Sequence, residues 1–203
     1  MSDVKVSVIY YSATGSVYAL AQRAVEAAEK AGAEVRLRKV QELAPKEAIA
    51  SNEGWEKHAL ETQDVPVASA EDVVCADAVI VGTPTRYGNV AAQVKQFFDT
   101  LGPQWAQGQL ANKVYTGFVS TGTNHGGQES TLLAMYNSFY HFGGIIVPPG
   151  YTDPSKFVDG NPYGASHISA NGENPPQEQD LTAVAYSAKR AVEIAAQLKR
   201  GAA

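Results

Sequence analysis

The chain has 203 residues, enough to bury the core of one domain, and its formal net charge of −5 comes with no basic stripe for a nucleic-acid backbone. Its single cysteine, Cys75, excludes an intramolecular disulfide and a cysteine-based zinc cluster, and its apolar setting predicts inert burial rather than redox work. No apolar run approaches the roughly 18 residues of a membrane span, and Met1-Ser2-Asp3 leads straight into a strand pattern, so a soluble cytoplasmic protein with no membrane span is expected.

Val6-Ser7-Val8-Ile9-Tyr10-Tyr11 reads as a buried strand. It breaks at Ser12-Ala13-Thr14-Gly15-Ser16-Val17 into an Ala-rich helix that places Leu20, Ala21, Ala24 and Ala28 on one face and stops at Gly32. The first backbone N–H groups of a helix lack internal partners and sit at the positive end of its dipole, so this turn suits an anion. Ser12, Thr14 and Ser16 add donors at alternate positions, although a serine N-cap without a ligand has the same composition. Gly15 is the only glycine in the turn, and the next strand ends in Arg38-Lys39 where a dinucleotide site wants an acidic residue. No Gly-Lys-Ser/Thr triplet for a nucleoside triphosphate occurs. The ligand these residues suit is a single terminal phosphate on something larger.

Val35 to Val40 alternates apolar with basic residues, as a strand near the sheet edge does. Residues 41–76 are polar and carry Pro45, Gly54 and Pro66, predicting a short helix or two and a connection, with His58 in solvent. A second apolar strand, Ala78 to Pro84, gives way to Thr85-Arg86-Tyr87-Gly88-Asn89 and a helix over 91–101. A third, Lys113 to Thr121, runs into Thr123-Asn124-His125-Gly126-Gly127 and a helix to about Phe142. Gly144 to Pro148 reads as the last strand, and the stripe Leu181, Val184, Ala185, Ala188, Val192, Ala195 and Leu198 as the last helix.

Strands separated by helices of this length predict a five-stranded parallel sheet in the doubly wound order 2-1-3-4-5 with helices on both faces. The whole chain is then one domain of this doubly wound kind, with insertions at about 41–76 and 149–178. Ligands of such sheets lie beyond the carboxyl ends of the strands where the winding reverses, which brings together residues 12–17, 84–89 and 120–127. Their glycines admit a flat ring, their amides and hydroxyls suit its polar edge, and Tyr87 can stack on it. A phosphate at one end and a polar-edged aromatic system at the other describes flavin mononucleotide (FMN).

Ser12-Ala13-Thr14-Gly15-Ser16 resembles the phosphate loop of flavodoxins. Residues 82–89, residues 120–123 with Gly126-Gly127-Gln128-Glu129, and Ile146-Val147-Pro148 with Gly150-Tyr151 resemble the tryptophan-repressor-binding-protein-like branch, the type IV NAD(P)H:quinone oxidoreductases. The similarity spans nearly the whole chain. It implies FMN, two-electron reduction of quinones by NADH or NADPH, and a homotetramer built as a dimer of dimers.

Carried over by position, the resemblance places the phosphate on Ser12, Ala13, Thr14, Gly15, Ser16 and Val17. It sets the isoalloxazine against Pro84, Thr85, Arg86, Tyr87 and Gly88, and against Ser120, Thr121, Gly122, Thr123, Asn124, His125 and Gly126. His141 matches a histidine that borders the flavin and is the expected catalytic residue. Trp105 matches a tryptophan that reaches a neighbouring subunit's active site, so it is the expected substrate contact. Thr14 stands where the branch often has an aromatic near the nicotinamide, and Asn124-His125 makes its loop one residue longer than in some relatives. The expected cycle is ping-pong at one flavin face. The rival reading is a flavodoxin-type electron carrier, which docks redox proteins and has no substrate of its own.

Overall fold

The structure, a computed structural model, describes residues 4–201; Met1-Ser2-Asp3 lie outside them. Strand β1 (Lys5–Tyr10) leads into helix α1 (Ser16–Lys30) and β2 (Glu34–Lys39). Three short helices follow, α2 (Lys46–Ala50), α3 (Glu53–Glu61) and α4 (Ala70–Val74). The central strand β3 (Ala78–Arg86) folds back on β4 (Asn89–Val90), and α5 (Ala92–Asp99) and α6 (Gly102–Ala106) come next. Then come β5 (Val114–Thr121), α7 (Gln128–His141), β6 (Ile145–Ile146), α8 (Ser155–Asp159), β7 (Ala165–Ile168) and α9 (Glu178–Gly201).

The strands order as β2-β1-β3-β5-β6, with every pair on this path parallel. Side chains alternate across the sheet, so Val6, Val8 and Tyr10 pack under α1 and α9, while Ile9 and Tyr11 face α5 and α7. Both faces are covered, which is why β1, β3 and β5 read as unbroken apolar runs. Among the described residues no helix is long and apolar enough to cross a membrane.

The fifth strand differs from the expectation of one run at 144–148. Ile145 and Ile146 pair with Val114 and Tyr115 at the start of β5, and Ala165–Ile168 pair with Phe118–Thr121 at its end. Residues 147–164 leave the sheet between the two halves. Pro148 and Pro149 have no N–H to continue the ladder, so the chain must depart there. Part of the stretch read as an insertion therefore completes the sheet edge.

The excursion is anchored from within. Lys156 is 0% exposed; its ammonium bonds to Asp159 and, at 3.0 Å, to Gly164 O. Asp159 in turn accepts from Asn161 N at 3.2 Å. Burial pulls the lysine pKa down and pushes the aspartate pKa up.

The other insertion lies along the β2 edge. Lys39 bridges to Val67, and its Nζ donates to Thr62 O at 2.6 Å, so the segment covers an edge that would otherwise be open. Within it His58 is buried rather than solvated, with its ring 5.4 Å from that of Tyr18. Trp55, His58 and Thr62 recur at helical spacing on the face of α3 turned inward, which outweighs the charged neighbours Glu56, Lys57 and Glu61. Burial lowers the His58 pKa.

Candidate functional site

The carboxyl ends of β1, β3 and β5 open into one cleft of about 190 Å³. Ser12, Ala13, Thr14, Ser16 and Val17 form one wall, Pro84, Thr85 and Arg86 a second, and Ser120, Thr121 and Gly122 a third. The structure therefore joins three loops that lie far apart in the sequence.

The first wall is an open helix end. Gly15 sits at the N-cap of α1 with φ +100, and its N–H donates to Ser12 Oγ at 3.1 Å. That left-handed φ suits glycine, and the turn it makes aims the following amides outward. Among the described residues the N–H groups of Ser16, Val17 and Tyr18 have no protein acceptor, and the hydroxyls of Thr14 and Ser16 make no hydrogen bond to protein. Those free donors at a positive helix end fit the phosphate of FMN. His58 braces the turn from behind: its Nδ1 lies 3.6 Å from where a Cβ on Gly15 would be.

The second wall is a tight hairpin. Tyr87 and Gly88 have φ of 54 and 77, the two left-handed positions of a two-residue turn joining β3 to β4. Thr85 Oγ1 accepts from Gly88 N at 3.2 Å and bonds Thr131 Oγ1 at 2.8 Å, tying the hairpin to α7. Tyr87 is fully exposed at the tip and stacks on no ring among the described residues. Thr83 Oγ1 bonds Pro84 O and accepts Ala91 N, so the strand end is held from both sides.

The third wall is set by Thr121, whose Oγ1 donates to Thr123 O at 2.9 Å and accepts from Gln128 Nε2 at 3.3 Å. Gly126 N donates to Thr123 O at 3.0 Å. Thr123, Asn124, His125 and Gly126 continue this loop outside the lining of the cleft, as Tyr87 and Gly88 do beside the second wall.

Two expected residues are not in the cleft of their own chain. α7 starts beside the third loop and runs back along β5, and His141 ends it after 14 residues, about 20 Å away at the opposite end of the sheet. Trp105 lies there too, with its Nε1 donating to His141 O at 2.7 Å. Trp105 is 54% exposed and Tyr140, which precedes His141 in α7, 68%, so two aromatic side chains stand open at the amino ends of the strands. Within one chain, then, His141 does not border the cleft.

Sequence reasoning missed a fourth side of the cleft. Ser169 and Asn171, just beyond β7, line it together with the phosphate turn. Ser169 N and Oγ both donate to Thr121 O, at 2.7 and 3.1 Å. The signal available was the pattern Ala165-Ser166-His167-Ile168, a short alternating run before Ser169-Ala170-Asn171-Gly172, but it lay inside a stretch assigned to an insertion.

A larger cavity of about 450 Å³ lies on the far side of Ser12, between the end of β2 and α3, walled by Tyr10, Tyr11, Trp55 and His58. It shares Ser12 with the first loop but takes no residue from the second or third; the cleft where all three loops meet is the candidate site.

The model of the NADPH-dependent FMN reductase family matches residues 4–156. A "NAD(P)H dehydrogenase (quinone)" of Deinococcus radiodurans is 43% identical over 198 residues, 97% of this chain and 98% of that protein. One from Caulobacter vibrioides is 40% identical over 200 residues, 96% and 98% of the two chains. Among solved structures, the flavodoxin, WrbA-like protein from Agrobacterium tumefaciens superposes with a TM-score of 0.68 at 23% identity, covering 96% of this chain and 99% of that one, which supports the flavodoxin-like sheet. With a family match over residues 4–156 and 43% identity across nearly the whole of both chains, the chain belongs to the NADPH-dependent FMN reductase family, among relatives named NAD(P)H dehydrogenase (quinone).

Proposed function

We propose that this protein is an FMN-dependent NAD(P)H:quinone oxidoreductase of the cytoplasm that works as a homotetramer, with both substrates using one flavin face in turn. The observation that carries the reading is the cleft itself: an open, donor-rich helix end on one side and two glycine-containing loops on the other, at the point where the winding of the sheet reverses. When bound, FMN supplies the two-electron chemistry, from NAD(P)H to quinone.

The chain's own groups bind and orient. The amides of α1 and the hydroxyls of Ser12, Thr14 and Ser16 hold the phosphate, Pro84 to Gly88 border one side of the ring, and Ser120 to Gly126 the other. Thr85, through Gly88 N, and Thr121, through Thr123 O, hold the second and third loops in shape, so the loops need no reorganisation to border a polar ring edge. His141 and Trp105 enter only if a second copy brings its strand amino ends to this cleft. The open side chains of Trp105 and Tyr140 are the surface for that contact. His141 then stabilises charge developing beside the ring, and Trp105 walls the place where quinone stands.

Steady-state oxidation of NADH with and without benzoquinone tests the activity, and parallel double-reciprocal lines test the alternating order. A protein with negligible turnover under both conditions, yet reducible by a partner reductase, would be a carrier. Sedimentation at micromolar concentration tests the assembly; a monomer there removes His141 and Trp105 from the site.

A further inference from the structure

The segment Ser169-Ala170-Asn171-Gly172 is the most strained stretch of backbone beside the cleft. Ala170, Asn171 and Gly172 have φ of 46, 58 and 101, three successive left-handed residues of which only one is glycine. For an L side chain that conformation costs about 1–2 kcal/mol per residue, so something must hold it.

Hydrogen bonds around the loop hold it. Asn174 Nδ2 donates to Ile168 O at 2.6 Å, Asn174 N donates to Ser169 O at 2.9 Å and Gly172 N to Ser169 O at 2.8 Å. Behind them the buried His167 ring is fixed at both nitrogens. Nε2 donates to Asn174 O at 2.9 Å, and Nδ1 lies 2.8 Å from Asp180 Oδ2 in the first turn of α9. The strained loop is thus clamped from behind by β7 and α9 and presented forward to the cleft.

What it presents is the Asn171 carboxamide. Its Oδ1 is 2.9 Å from the point where a Cβ on Gly122 would lie, so any side chain at 122 would displace it. On the other side, a Cβ on Gly172 would lie 3.6 Å from Thr14 Oγ1. Asn171 therefore stands between the phosphate turn and the third loop, where a chain joining a phosphate to a ring must pass. A carboxamide donates through its nitrogen and accepts through its oxygen, the combination a row of hydroxyls can use.

We propose that Asn171 is a cofactor-binding residue that reads the hydroxyls of the ribityl chain, and that the loop 169–172 is held in its strained form for this purpose. The proposal rests on the FMN reading of the cleft. It concerns the polyol, not the phosphate, which the α1 end already serves.

The test is the affinity of apoprotein for FMN and for riboflavin, read by quenching of flavin fluorescence, in wild type, Asn171→Ala and Asn171→Gly. Glycine removes the carboxamide while relieving the backbone, so a purely structural role predicts that Asn171→Gly is as stable or more stable and binds as wild type does. The proposal predicts that both variants bind FMN and riboflavin about tenfold more weakly, and that Asn171→Gly does so without a loss in melting temperature. Wild-type affinity in Asn171→Gly overturns it, and so does a loss confined to FMN with riboflavin unaffected. If wild type itself fails to quench FMN, the cofactor reading has fallen first.

Discussion

The buried pair Lys156–Asp159 lies outside the lining of the cleft, yet it closes the excursion that delivers β7 and Asn171 to it. Lys156→Met keeps the apolar stem and deletes the charge. What remains is Asp159, with its side chain 3% exposed and its partner gone. Breaking one side of such a pair costs about 3–5 kcal/mol, because an unpaired carboxylate is left out of water. For a chain of this length that corresponds to a drop in melting temperature of roughly 6–20 °C. Burial already raises the Asp159 pKa in wild type, and without the ammonium it rises further. The native variant then holds a proton that the unfolded chain has released, so its stability falls as pH rises above the unfolded carboxylate value and recovers as pH is lowered. The double change Lys156→Met with Asp159→Leu removes both charges and should regain most of the loss. Thermal melts of wild type and both variants between pH 5 and 8 read all three expectations. A Lys156→Met protein that melts within about 2 °C of wild type at pH 8, or a double variant no better than the single, would refute the reasoning.

Other outcomes follow from the same geometry. Gly127 has φ +94, and a Cβ there would lie 2.8 Å from Gly88 Cα, so Gly127→Ala should push the hairpin off the start of α7. We expect a loss of about 2 kcal/mol in urea titration together with weaker FMN quenching. Burial works to raise the Glu42 carboxyl, but bonds from Ala44 N, Gln93, Tyr11 and Leu43 N outweigh it and hold its pKa below the ordinary range. Its contribution is therefore fully present above the unfolded value of about 4.3 and is lost as pH falls through the folded one. The stability gap between wild type and Glu42→Gln, measured as urea midpoints, should accordingly be widest near pH 7 and close towards pH 3. Trp105→Ala should lower kcat/KM for benzoquinone about tenfold while leaving the FMN affinity of the apoprotein unchanged; equal turnover would remove Trp105 from the substrate pocket.

The sheet and three sides of the cleft were legible because their causes are local. A buried parallel strand must be apolar on both faces, and a turn at its carboxyl end must be small and polar, so Val6 to Val17, Ala78 to Gly88 and Lys113 to Gly127 announce themselves. The fourth side was not legible for the opposite reason. β7 is four residues long, and its pairing with Phe118–Thr121 is decided by where the excursion 147–164 returns, which depends on the Lys156–Asp159 contact inside the fold. His58 was misplaced for a similar reason: its neighbours in sequence are charged, but its neighbours in space are Tyr18 and the Gly15 turn.

The same distinction between chain and space separates the two ends of the sheet. A helix that begins at a ligand loop must end near the opposite rim, so a residue late in α7 cannot serve the loop at its start within one chain. Similarity at Trp105 and His141 gives residue identity without stating which copy is served. Because the two are joined by a 2.7 Å hydrogen bond and lie together at the amino ends of the strands, they would move to a neighbour's cleft as one unit. Under that arrangement the cofactor would be held by one chain, through the α1 end and Asn171, and the quinone position shaped by another. Loss of assembly would then remove turnover before it removed the flavin.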